Sequence, residues 1–179
     1  MSVFLSLDDL GQRICIIGPS NSGKSTLAKA IGRKKSLPLV HLDQLHHQPS
    51  SQWVPRKAED FLRLHEEAVG EENWVMEGNY AKCIHPRLAR ATGLILLDIS
   101  RSTALYRYIS RCYSSKPRIG GIGIQTESIS WVMMKHILYH SPRNHLRYRA
   151  LFEQSTLPKL MLSTPRAVNT YYKEWKLNK

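Results

Sequence analysis

The stretch Gly18-Pro19-Ser20-Asn21-Ser22-Gly23-Lys24-Ser25-Thr26 has the spacing G-x-x-x-x-G-K-S, and each fixed position has a physical use. Glycines let the backbone close around phosphate oxygens, while successive N–H groups and the positive end of a following helix point at the anion. Lys24 is then expected to reach the β and γ phosphates, Ser25 to place its hydroxyl on Mg²⁺, and Thr26 to meet the α phosphate. The expected ligand is ATP or another nucleoside triphosphate with magnesium.

Further candidates follow short apolar runs. His41-Leu42-Asp43 ends one run, so Asp43 is expected at a strand end facing the phosphates. There it could accept a proton from an acceptor hydroxyl or hold a magnesium-bound water; the competing use is to cap a short turn. Trp74-Val75-Met76 runs into Glu77-Gly78-Asn79-Tyr80, which makes Glu77 the candidate to orient water around magnesium. Asn79, Tyr80 and Arg87 are candidates to line an acceptor pocket, with ordinary turn or helix-surface roles as the alternative. Trp53 either closes that pocket or packs in the core. His46 and His47 have no third ligand at zinc-like spacing and are assigned no metal.

These groups need a scaffold that brings strand ends together. Five β-rich runs read as strands: Arg13 to Ile17, Leu39 to Leu42, Trp74 to Met76, Leu94 to Asp98, and Leu160 to Leu162. Three-to-four-residue apolar spacing predicts helices over Lys24 to Arg33, Lys57 to Val69, Ser102 to Arg111, Glu127 to Tyr139, Pro142 to Glu153, and Arg166 to Trp175. The alternation implies an α/β fold, a mostly parallel sheet covered on both faces, with ligands at the carboxyl ends of its strands. The Gly-rich stretch from Tyr113 to Thr126 breaks the pattern and reads as a loop. One domain over residues 1–179 is expected, with a lid-like segment at about 112–142.

The chain has 179 residues, 42% of them hydrophobic and 22% charged, which excludes disordered and collagen-like classes. It has no apolar run long enough to span a membrane and no signal-peptide pattern. The three cysteines lack metal-ligand spacing, so a reduced cytoplasmic setting is expected. The net charge of +12 is unevenly placed. Residues 1–98 hold 12 Lys/Arg against 11 Asp/Glu, whereas residues 99–179 hold 14 against 3. Arg107 and Arg111 lie one helical turn apart, and Arg143 and Arg147 follow the Gly-rich stretch; such a set is what a phosphoryl-transfer lid requires. A basic arm for DNA and a plain solvated surface are the competing uses.

Gly18 to Thr26, His41-Leu42-Asp43, Trp74 to Tyr80, Leu94 to Asp98 and the Arg107/Arg111 pair together resemble the bacterial DNA topology modulation (FlaR-type) proteins, a group of adenylate-kinase-like P-loop kinases. The resemblance spans roughly residues 12–175. It implies a three-layer α/β/α P-loop domain of nucleoside-monophosphate-kinase type. The implied sheet has five parallel strands in the order 2-3-1-4-5, with a small substrate insertion after the second strand and a lid after the fourth. It also implies that Lys24 and Ser25 bind triphosphate and magnesium and that Arg107 and Arg111 hold the lid-arginine positions. Glu77 stands where the group usually has Asp. The Asp43 segment lacks the Thr-Gly-Asp-x-x-Arg pattern with which adenylate kinases hold AMP. Three functions remain open at this point: ATP-dependent phosphoryl transfer to a small acceptor, nucleotide-gated DNA binding, and a non-catalytic nucleotide switch. No oligomeric state follows from the sequence.

Overall fold

The computed structural model describes residues 4–51, 53–113, 119–121, 131–135 and 141–178, without the side chains of residues 132, 133 and 141–143. Most of the expected lid at 112–142 therefore lies outside the described residues.

Five strands, β1 (Arg13–Ile17), β2 (Leu39–His41), β3 (Trp74–Glu77), β4 (Gly93–Leu97) and β5 (Lys159–Leu162), form one parallel sheet in the order β2-β3-β1-β4-β5. This is the expected strand order. The helices are α1 (Lys24–Lys35), α2 (Leu42–His46), α3 (Ala58–Gly70), α4 (Ile84–Arg90), α5 (Arg101–Cys112), α6 (Trp131–Lys135), α7 (Ser141–Gln154) and α8 (Pro165–Glu174). Both faces of each central strand are apolar, as a sheet covered on two sides demands. Ile14 and Ile16 of β1 join Leu27 and Ile31 of α1 and Tyr172 of α8 on one face. Cys15 and Ile17 join Phe61 of α3, Ile84 of α4 and Tyr148 of α7 on the other.

Local signals explain where helices start. Ser100 Oγ accepts from the Thr103 N–H at the head of α5, and Thr164 Oγ1 accepts from the Ala167 N–H at the head of α8, where Pro165 opens the first turn. At the phosphate loop the constraint is steric. Gly18 has φ 143°, and a Cβ there would lie 2.4 Å from the Leu97 carbonyl oxygen, so only glycine lets β4 pass this close.

The boundaries differ from expectation in two places that bear on the site. β2 stops at His41, and Leu42 opens α2 instead of ending the strand. Asp43 therefore sits in the first turn of a five-residue helix, not at a strand end. Helix α4, which no expectation covered, occupies Ile84–Arg90. Its Ile84 and Leu88, with Ala91 just past its end, carry the helical spacing in a run short enough to read as a turn. Of the helix expected over Glu127 to Tyr139, the described residues show only Trp131–Lys135.

The α3/α4 face of the core contains polar groups. His65 is 3% exposed, and burial with the neighbouring Arg87 guanidinium pushes its pKa from 6.5 down to about 4. An unfolded chain binds this proton first as pH falls, so the contribution is complete above pH 6.5 and is lost as pH drops toward about 4. The full shift corresponds to roughly 3 kcal/mol. Urea unfolding of wild-type protein should show stability declining over that window, and His65→Leu should flatten this part of the profile; an unchanged slope in the variant would contradict the assignment.

Candidate functional site

The carboxyl ends of β1, β2 and β3 bring the sequence candidates together. Parallel pairing sets Ile16 beside Glu77 and His41 beside Glu77, so the carboxylate at the end of β3 lies between the phosphate loop and β2. Ser25 Oγ donates to Glu77 Oε1 at 2.9 Å, and His41 Nδ1 lies 2.7 Å from the same oxygen. Glu77 is 4% exposed. Burial opposes its ionisation, but the His41 hydrogen bond, the Lys24 charge and the Ser25 hydroxyl together hold the carboxyl below the ordinary carboxylate range.

The loop itself is held in a phosphate-ready shape. Lys24 Nζ donates to the Pro19 carbonyl at 2.9 Å, folding its side chain back across the loop. Asn21 adopts φ 61° and Gly23 φ 99°, the left-handed turns that let backbone N–H groups converge. Ser22 Oγ is buried with no hydrogen-bond partner, an orphan donor inside the loop. Ser20 is half-buried and Thr26 exposed. These features fit a bound polyphosphate: a cradle, an unused hydroxyl, a lysine, and a serine hydroxyl paired with an ionised carboxylate to receive a divalent cation.

Asn79, expected in an acceptor pocket, instead clamps the loop. Its Oδ1 accepts from the Gly18 N–H at 3.2 Å and its Nδ2 donates to the Gly18 carbonyl at 2.7 Å. Both polar ends of the amide are used, so Asn79 positions the first glycine. Tyr80 follows the expectation more closely. Its hydroxyl donates to Asp43 Oδ1 at 2.8 Å, and burial together with that carboxylate raises its pKa far above the usual phenol value. The Tyr80 ring packs against His46 at 4.7 Å and Phe61 at 5.1 Å, while His47 meets Trp53 edge-on at 5.1 Å. Asp43 thus sits over an aromatic floor. His46, displaced below its usual pKa by burial and by His47, belongs to that floor.

The arginines divide. Arg107 Nη1 donates to the Ser22 carbonyl at 2.6 Å, which sets the guanidinium on the phosphate loop. Arg111 lies over the Tyr108 ring, 5.8 Å from its centroid. Arg147 is exposed on α7, and the side chain of Arg143 lies outside the described residues. Arg87, expected to line the pocket or a helix surface, is instead fully buried in the core. Two groups in the site escaped sequence reasoning. His41 read only as a strand residue, although a polar ring ending a buried apolar run was an available signal. Ile119–Gly121 is the other: a Cβ on Gly120 would lie 2.7 Å from His41 Nδ1, and Gln44 Nε2 donates to the Gly121 carbonyl at 2.9 Å. No spacing rule links residue 120 to β2.

No protein-family model matches the chain, and a search of curated proteins finds no match. Solved structures do resemble it. A shikimate kinase from Bacteroides thetaiotaomicron aligns at 20% identity with TM-score 0.52, over 92% of this chain and 96% of that one. A shikimate kinase from Aquifex aeolicus aligns at 16% identity with TM-score 0.49, over 92% and 96%. A gluconokinase from Sinorhizobium meliloti aligns at 18% identity with TM-score 0.44, over 82% and 98%. At 20% identity the likeness to the Bacteroides structure concerns architecture alone, and the chain has the three-layer α/β P-loop fold of the shikimate-kinase type.

Proposed function

We propose that the protein transfers a phosphoryl group from Mg-ATP, or another nucleoside triphosphate, to the hydroxyl of a small acceptor. The observation that carries this reading is the convergence at the carboxyl ends of β1, β2 and β3 of Lys24, Ser25, Glu77 and Arg107 with an acidic side chain, Asp43, only two residues beyond His41. A nucleotide cradle needs the first four. A carboxylate seated on aromatic rings beside it is what an acceptor hydroxyl needs.

In this reading the loop N–H groups and Lys24 bind the triphosphate, and Arg107 neutralises charge that builds on the transferring group. Ser25 would hold magnesium and Glu77 would orient the water bound to it, and the ion would supply Lewis-acid charge neutralisation. Asp43 accepts a hydrogen bond from the acceptor hydroxyl and takes its proton, while Tyr80 fixes the carboxylate's orientation through its own O–H. His41 fixes the orientation of Glu77. Residues 112–142 form the lid, with Ile119–Gly121 resting against His41 and Gln44 to exclude water. Arg111, Arg143 and Arg147 flank that lid as its basic set. The likeness to FlaR-type P-loop kinases belongs to the same reading, and the DNA-topology label attached to that group adds no chemistry to this site.

Coupled-assay measurement of magnesium-dependent ATP consumption across hydroxy acids, sugar acids, nucleosides and nucleotides is expected to single out one acceptor class. Lys24→Ala should lower turnover by about 100-fold or more. Asp43→Asn should lower kcat comparably while leaving calorimetric Mg-ATP affinity within a few-fold. Failure of the wild-type protein to bind Mg-ATP at all would end the proposal.

The Asn79 clamp gives a separate check. Asn79→Ala removes two hydrogen bonds to Gly18, worth about 1–3 kcal/mol together, and should weaken Mg-ADP binding roughly tenfold by calorimetry. Asn79→Asp should do no better, because a carboxylate faces the Gly18 carbonyl. Undiminished affinity in both variants would show that the loop holds its shape without the clamp.

A further inference from the structure

Among the described residues, the guanidinium of Arg87 is a buried charge with no hydrogen-bond partner. Arg87 is 0% exposed, and Nε, Nη1 and Nη2 all lack hydrogen-bond partners. An unpaired charge in a protein interior costs several kcal/mol in desolvation, so such a group ordinarily has an anion beside it. Among the described residues, the titratable groups on which Arg87 acts are Cys15, His65, Cys83 and Tyr148, and none of them is an anion. Burial raises the pKa of the Cys15 and Cys83 thiols and of the Tyr148 phenol, which stay protonated, and His65 is neutral. His65 Nε2, 3% exposed as a residue, likewise has no partner.

This cluster adjoins the Asp43–Tyr80 pair through two side chains. Cys83 Sγ donates to the Tyr80 carbonyl at 3.3 Å, and the Phe61 ring, which packs on Tyr80, is 6.2 Å from the His65 ring. Arg87 on α4 acts electrostatically on both Cys83 and His65, so it lies one side chain removed from Tyr80.

We infer that Arg87, with His65 beside it, is the seat of an oxyanion carried by the acceptor. The acceptor is therefore a small molecule bearing both a hydroxyl for Asp43 and a carboxylate or phosphate for Arg87. A planar guanidinium fork matches either oxyanion through paired N–H donors, and a neutral imidazole protonated at Nε2 adds a third. The identification of this ligand as the acceptor rests on the phosphoryl-transfer reading; the anion seat itself does not. Entry requires α3 and α4 to part, since the guanidinium is closed off as the structure stands.

The test is thermal unfolding of Lys24→Ala protein, in which the phosphate loop's own anion response is weakened, titrated with inorganic phosphate or with acetate against chloride at equal ionic strength. A rise in Tm with phosphate, acetate or both is expected, and it should vanish in Lys24→Ala/Arg87→Met and persist in part in Lys24→Ala/Arg87→Lys. A response to phosphate alone selects a phosphorylated alcohol, and a response to acetate selects a hydroxy acid. In anion-free buffer Arg87→Met should raise the Tm of the otherwise wild-type protein by about 3 °C or more, because an apolar side chain replaces an uncompensated charge. The inference is overturned by an anion response that survives Arg87→Met, by no response to either anion, or by an Arg87→Met protein that melts lower or fails to fold. Calorimetry of wild-type protein with Mg-ADP separates the two ideas: loss of nucleotide binding removes the phosphoryl-transfer reading and leaves the anion seat standing on the melting data.

Discussion

One carboxylate oxygen, Oε1 of Glu77, joins the three strand ends on which the site is built. It receives the Ser25 hydroxyl from the head of α1 and the His41 ring from the end of β2. The side chain is almost fully buried, and an ionised carboxylate survives there only because those donors and the Lys24 charge outweigh desolvation. Remove that balance and the phosphate loop loses the group that fixes its serine, while β2 loses the anchor that holds α2 and Asp43 at the same edge. A glutamate reaches farther from the strand than an aspartate would, and here the extra length is taken up by the bond to His41.

The loop's shape depends on close packing as much as on charge. Gly18 runs so near Leu97 of β4 that a side chain would strike backbone, and Asn79 grips the same glycine from the β3 side through both ends of its amide. The cradle is thus pinned between the two strands that flank β1. Basic groups then act on a preformed target: Arg107 reaches the Ser22 carbonyl from α5. Asp98, just past β4, is met by His145 and by Arg149 Nε at 3.6 Å, which ties α7 to the sheet edge from the other side.

Charge balance separates the two faces of the core. On the α1/α8 face Leu27, Ile31 and Tyr172 pack against Ile14 and Ile16, and Trp175 Nε1 donates to the Leu5 carbonyl. The α3/α4/α7 face contains Arg87 and His65, whose guanidinium nitrogens and Nε2 find no partners, and its Cys83 and Phe61 contact Tyr80. Buried polar groups without partners cost stability, so each calls for a physical reason.

The sequence by itself marked out the phosphate loop and the strand set, because these rest on local rules: glycine spacing, short continuous apolar runs and strand–helix alternation act within short windows; the strand order followed only from the family resemblance, since pairing between distant strands is a tertiary property. It also named Lys24, Ser25, Asp43, Glu77 and Arg107, each tied to a strand end or a helical repeat. Tertiary structure decided the rest. Only parallel register could put His41 on Glu77 and show Asn79 gripping Gly18, since these pairs are separated by 36 and 61 residues. The end of β2 was decided by packing: Leu42 is fully buried against Gly78, where an added Cβ would lie 2.7 Å from the Leu42 Cβ, and the chain turns into α2 at that residue. Burial of Arg87 was invisible because α4 is too short to announce a face, and a basic residue reads as surface until its neighbours are known.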